Sequence, residues 1–138
     1  MTAIEAILFA LSAAVPLVAL AAGRTPERAA ATIFALNALA TSISGYFWHY
    51  RDIGNLLLTL DGLMALAILV LAFRYNYLWI ALLLSSMSGY FAVHAYYLMT
   101  HLPLDRTFAL MSNFATGIAL LSIAIGVWTS RHRKDEWR

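Results

Sequence analysis

The run Ile53-Gly54-Asn55-Leu56-Leu57-Leu58-Thr59-Leu60-Asp61-Gly62-Leu63-Met64-Ala65-Leu66-Ala67-Ile68-Leu69-Val70-Leu71-Ala72-Phe73 is dominated by apolar side chains and holds one acid, Asp61. A helix rises ~1.5 Å per residue, so this run reaches about 30 Å, the thickness of a bilayer's hydrocarbon layer. Its apolar residues follow neither the 3.6 spacing of an amphipathic helix nor the alternation of a half-buried strand. A segment apolar on every face predicts a membrane-crossing helix.

Runs of the same kind lie on both sides. Spans are predicted at 6–22, 29–48, 53–73, 78–99 and 107–129, followed by a basic tail at 131–138. The chain is 62% hydrophobic and 12% charged, against roughly half and about a quarter in soluble domains, which leaves little for a separate soluble domain. The expected fold class is an all-α integral membrane protein, with residues 1–138 in one bundle of about five transmembrane helices. The chain has no cysteine, which excludes disulfides, thiol catalysis, thiolate metal sites and covalent haem attachment. Ala19-Leu20-Ala21 resembles a signal-peptide cleavage site. The preceding Met1-Thr2-Ala3-Ile4-Glu5 carries no lysine or arginine, however, so the first segment is read as a retained span. Pro16 inside it is tolerable in a bundle, where neighbours satisfy the freed carbonyl.

The connections are short. Gly23–Arg28 reads as a turn with Thr25 as N-cap and Pro26 at the first helical position. Residues 74–77 join spans 3 and 4, and residues 101–106 join spans 4 and 5 with Asp105 as N-cap. Such connections make successive helices antiparallel neighbours. Arg24, Arg28, Arg74, Arg131, Arg133, Lys134 and Arg138 then fall on one side, and only Arg51 and Arg106 on the other. This asymmetry places the N-terminus outside and the C-terminus in the cytoplasm. Tyr75, Tyr77, Trp79 and Trp128 are the expected inner aromatic belt, and Trp48, Tyr50, Tyr96 and Tyr97 the outer one. The basic residues set topology and do not form a nucleic-acid surface.

One phrase occurs twice. Ser42-Ile43-Ser44-Gly45-Tyr46-Phe47 returns as Ser86-Met87-Ser88-Gly89-Tyr90-Phe91. Sliding 42–66 onto 86–110 gives ten identities in twenty-five positions, Asp61 on Asp105 among them. The pattern suggests a parallel duplication of spans 2–3 as spans 4–5. Thr41 and Gly45, Ser85 and Gly89, and Asn113 and Gly117 are small or short residues four apart, a spacing that lets membrane helices approach closely. The expectation is close packing of spans 2 and 4.

Polar groups gather in the outer half: Glu5, His49, Arg51, Asp52, Asp61, His94, His101, Asp105 and Arg106. No comparable cluster is read in the inner half. Asp61 lies eight residues into span 3, ~12 Å deep at ~1.5 Å per residue. A bare carboxylate near mid-membrane costs roughly 2.5–3.5 kcal/mol on insertion scales. Its match to Asp105 favours a cap on a shortened span 3 over a buried functional acid. As a proton or ion relay, the candidates are Asp61, His94, His101 and Asp105. His94 and His101, seven apart, would share one helix face. His49 and His94 fall at similar depth on helices running the same way. That arrangement resembles the two-helix haem ligation of the cytochrome b561 family, which implies haem b as cofactor. Against symmetry, His94 follows Gly89 by five residues where His49 follows Gly45 by four, a rotation of ~100°. No ligand spacing for a metal ion, phosphate loop or Ser/His/Asp arrangement is present.

The segments Asp61-Gly62-Leu63, Ala72-Phe73-Arg74-Tyr75-Asn76-Tyr77-Leu78-Trp79 and Val93-His94-Ala95 resemble small multi-pass inner-membrane proteins of unknown function from alphaproteobacteria. The resemblance implies a bacterial inner membrane and no particular activity. The leading expectation is a non-enzymatic bundle in the lipid bilayer, acting as a homo-oligomer or as an accessory subunit of a larger membrane complex. The alternatives are a haem b electron-transfer subunit using His49 and His94, and a small transporter or proton conductor using Asp61.

Overall fold

The computed structural model describes residues 3–47, 50–103 and 105–132. They form five helices: α1 (Ala3–Ala22), α2 (Thr25–Phe47), α3 (Tyr50–Arg74), α4 (Leu78–Met99) and α5 (Arg106–His132). Three helical segments, Gly54–Arg74, Leu78–Met99 and Arg106–His132, are long and apolar enough to cross a membrane, and the apolar Ala6–Ala22 is shorter. Each helix packs on the next, α5 closes the ring on α1, and α2 also touches α5. Ile68, Ile80, Leu83 and Ile123 are fully buried at the centre. Phe9, Leu63, Phe114 and Leu121 stand exposed on the outside. In water so much exposed apolar surface would drive association, whereas hydrocarbon is its ordinary solvent in a bilayer. Arg24, Arg74 and Arg131 mark one end of the bundle, here the basic end, and the α4–α5 connection marks the far end.

Local chemistry sets the helix ends. Between α1 and α2, the Arg24 N–H donates to Glu27 Oε2 at 2.8 Å, and the Arg24 carbonyl accepts the first helical bond, from Arg28 N–H at 2.9 Å. Arg24 therefore occupies the N-cap position expected for Thr25, and the cap is the acidic half of a capping box. A side chain at Gly23 would run into the Ala19 carbonyl and the Glu27 Cβ, so only glycine fits there.

α4 ends in a Schellman turn, with Leu102 N–H on the Tyr97 carbonyl at 3.2 Å and His101 N–H on that of Leu98 at 3.3 Å. His101 takes the left-handed position, φ 52°, where glycine is usual. The chain has left the helix by then, so His101 does not share a helical face with His94 as expected. Asp105 does sit at the N-cap of α5, where its Oδ1 accepts the Phe108 N–H at 2.9 Å.

Close helix approach occurs where the repeated phrase did not place it. An added Cβ would meet the Trp79 ring at 2.8 Å from Gly126, Phe91 Cε2 at 3.1 Å from Gly62, and Leu98 Cδ1 at 2.8 Å from Gly54. Among the described residues, at Gly89 it would meet nothing within 4 Å, and at Gly117 only Leu8 Cδ2 at 3.9 Å. Among the described residues α2 and α4 are not a contacting pair, so the expected close packing of spans 2 and 4 is corrected. α4 turns Ile80, Leu83, Met87 and His94 inward and leaves Ser85, Ser88 and Gly89 exposed. Thr41 and Asn113 are half-buried; the surroundings of Gly45 lie outside the described residues. Trp79, expected in an interfacial belt, is 5% exposed because Gly126 makes room for its ring. Tyr97 is buried as well.

Candidate functional site

Asp61 lies in the interior of α3, eleven residues past Tyr50, and is 3% exposed. The preference for a helix cap is therefore corrected. The amides after an interior residue already bond to carbonyls four residues back, so no free donor remains there to cap. The carboxyl turns to α4 instead, where Asp61 Oδ2 lies 2.6 Å from His94 Nδ1. From α2, Asn37 Nδ2 donates to the other oxygen, Oδ1, at 3.2 Å. One carboxyl thus gathers three helices, and both its oxygens are engaged. His94 is 2% exposed. Its ring meets Tyr90 edge-on at 6.0 Å between centroids and Phe108 of α5 at 5.9 Å.

Burying a lone charge is costly, and pairing it offsets the loss of water only when the geometry is good. Here a short contact and an amide donor supply that geometry. Carboxyl and imidazole can share one proton along the 2.6 Å contact. With Asp61 ionised, His94 Nδ1 carries the hydrogen and donates it; with Asp61 protonated, the carboxyl donates. Either arrangement keeps the Asp61–His94 hydrogen bond.

A second polar pair lies toward the far end. The Tyr97 hydroxyl donates to Asp105 Oδ1 at 2.8 Å, the same oxygen that takes the Phe108 N–H. These donors, Phe108 N–H first and the Tyr97 hydroxyl second, hold the Asp105 carboxyl below its ordinary range. A depressed carboxyl strengthens the fold above its unfolded value, and this contribution is lost as pH falls through the lowered one. The cap and the tyrosine contact therefore persist into acid. Phe108 touches both pairs, its ring 5.1 Å from that of Tyr97.

Of the expected relay, the fold joins Asp61 with His94. It keeps Asp105 apart from them, with Phe108 in contact with both groups, and leaves His101 exposed in the connection. His49 lies outside the described residues, as do the side chains of Glu5, Arg51 and Asp52. The haem pairing of His49 with His94 thus includes a residue that is not described, and His94 Nδ1 already faces Asp61. Among the described residues, no three His, Cys, Asp or Glu converge on a metal position.

Sequence reasoning missed three participants. Asn37 signalled itself only as an amide inside an apolar stretch. Phe108 carried no signal. Glu27 is 2% exposed at the basic end, in a crevice of about 50 Å³ shared with Tyr77 and Ser130. It is a single buried acid at the start of α2, bonded to the Arg24 N–H. Compared with family models, curated proteins and solved structures, the chain shows no match.

Proposed function

We propose that this chain is a proton-handling integral membrane bundle, a small carrier in which the Asp61–His94 pair binds and releases the proton. The observation that supports it is the buried 2.6 Å carboxyl–imidazole contact, made within two helices long and apolar enough to cross a membrane. Ionisable groups at such depth are costly, and those that persist mark ion and proton routes. A carrier fits better than an open pore. Ile68, Leu71, Ile80 and Leu83 are packed together on the stretches of α3 and α4 that lead from the pair to the basic end. A proton can pass that layer only if helices rearrange. All five helices cross a bacterial inner membrane in this reading, N-terminus outside and C-terminus in the cytoplasm, as the arginine asymmetry and the alphaproteobacterial resemblance suggest. The duplication of α2–α3 as α4–α5 rests on the repeated phrase, although Asp61 and Asp105 have diverged in setting.

The test is proton uptake by protein-loaded liposomes under an imposed potential. Wild type should acidify the lumen, and Asp61→Asn should fall to the rate of empty liposomes. Equal rates for the two proteins would sink the reading.

A second reading is association, as a homo-oligomer or as an accessory subunit without enzymatic activity. The open space beside Gly89, flanked by exposed Ser85 and Ser88, favours it, because small residues on a lipid-facing surface let another helix approach. The two readings are compatible: a proton carrier can work as an oligomer.

A further inference from the structure

Building on the proton-binding reading, we propose that the Asp61–His94 pair exchanges its proton with the far end of the bundle, through a gate made by Phe108 and held shut by Asp105 and Tyr97. His94 precedes Met99, the last residue of α4, by five positions and follows Leu78, the first, by sixteen. At ~1.5 Å per residue the pair is ~8 Å of helix from the far end and ~24 Å from the basic end. The long side is closed by the packed apolar core. On the short side, the exposed Asp105 and the Tyr97 hydroxyl stand one turn further out.

Phe108 joins the two levels. It is the third residue of α5, and its ring packs on both His94 and Tyr97. Its own N–H is held by Asp105 Oδ1, the oxygen that also takes the Tyr97 hydroxyl. A single carboxylate oxygen therefore fixes the helical turn that carries Phe108 and the tyrosine beside it. First turns depend on such caps and open locally when the cap is lost. One turn deeper on the same face of α5, the Ser112 hydroxyl oxygen is buried with no hydrogen-bond partner among the described residues. A water entering past a displaced Phe108 would satisfy it. Asp105, Tyr97 and Phe108 are positioning residues in this scheme, and the proton itself is held by Asp61 and His94.

The experiment is diethylpyrocarbonate labelling of the full chain in lipid nanodiscs, read for each histidine by peptide mass spectrometry. His101 and His132, both exposed, serve as internal standards. In wild type His94 should label far more slowly than either. Asp105→Ala should raise His94 labelling about fivefold, the factor by which losing a cap of ordinary strength shifts an opening equilibrium. Phe108→Ala should raise it at least as much, and Phe108→Leu should restore protection. The exposed Asp105 keeps the test open should Phe108→Ala fail to fold. The gate is overturned if wild-type His94 labels as fast as His132, or if Asp105→Ala leaves His94 as protected as before. Failure of the carrier reading shows elsewhere, as liposome flux indifferent to Asp61→Asn.

Discussion

Asp61→Ala is expected to destabilise the bundle by about 3–5 kcal/mol, and His94→Ala by a similar amount, because each leaves a buried polar partner uncompensated. The double substitution should cost much less than the two single changes added together, since it removes both members at once. The short contact between Asp61 and His94 is the reason, together with their near-complete burial. Asn37→Ala removes only a 3.2 Å amide contact and should cost about 0.5–1.5 kcal/mol. Reversible unfolding in mixed micelles measures all four proteins. Additive single effects would mean that the two side chains do not interact.

The second large effect lies at Gly126. An added Cβ there would sit 2.8 Å from two carbons of the Trp79 indole. The ring is rigid and buried, so it cannot yield as a flexible side-chain tip can. Gly126→Ala should lose about 1–3 kcal/mol to overpacking, more than the ~1 kcal/mol that alanine gains over glycine in a helix. Gly126→Leu should prevent folding. The same change at Gly89 meets open space and should leave the monomer as stable as wild type. If the α4 face joins copies, Gly89→Leu separates them, which light scattering in mild detergent detects as a fall in mass. A stable Gly126→Leu protein would refute the packing of α4 on α5.

The helices were legible because each apolar run and each break belongs to one stretch of chain. Residues 53–73 are long and apolar enough to read without knowing their neighbours, and Asp105 announces a helix start by its place after a proline-containing turn. The pairing of Asp61 was not legible. It depends on the rotation of α3 against α4, and a membrane helix that is apolar all round carries no moment to fix that rotation. The repeat misdirected the reading, since it set Asp61 against a loop residue. The same ambiguity hid the outward turn of Ser85 and Gly89, because lipid-facing and protein-facing surfaces share one composition. Glu27 reads as part of a turn, and its burial comes from a crevice shared with Tyr77, Trp79, Thr129 and Ser130, residues far from it in the chain.

The most direct measurement is the infrared difference spectrum of the protein in lipid, taken between about pH 4 and about pH 9, a range that brackets ordinary carboxyl and imidazole titration. Proton binding at the pair predicts a pH-dependent signal from the Asp61 carboxyl that disappears in Asp61→Asn, and an imidazole signal that disappears in His94→Gln. A folded protein whose spectrum shows no change at either group across that range would contradict it.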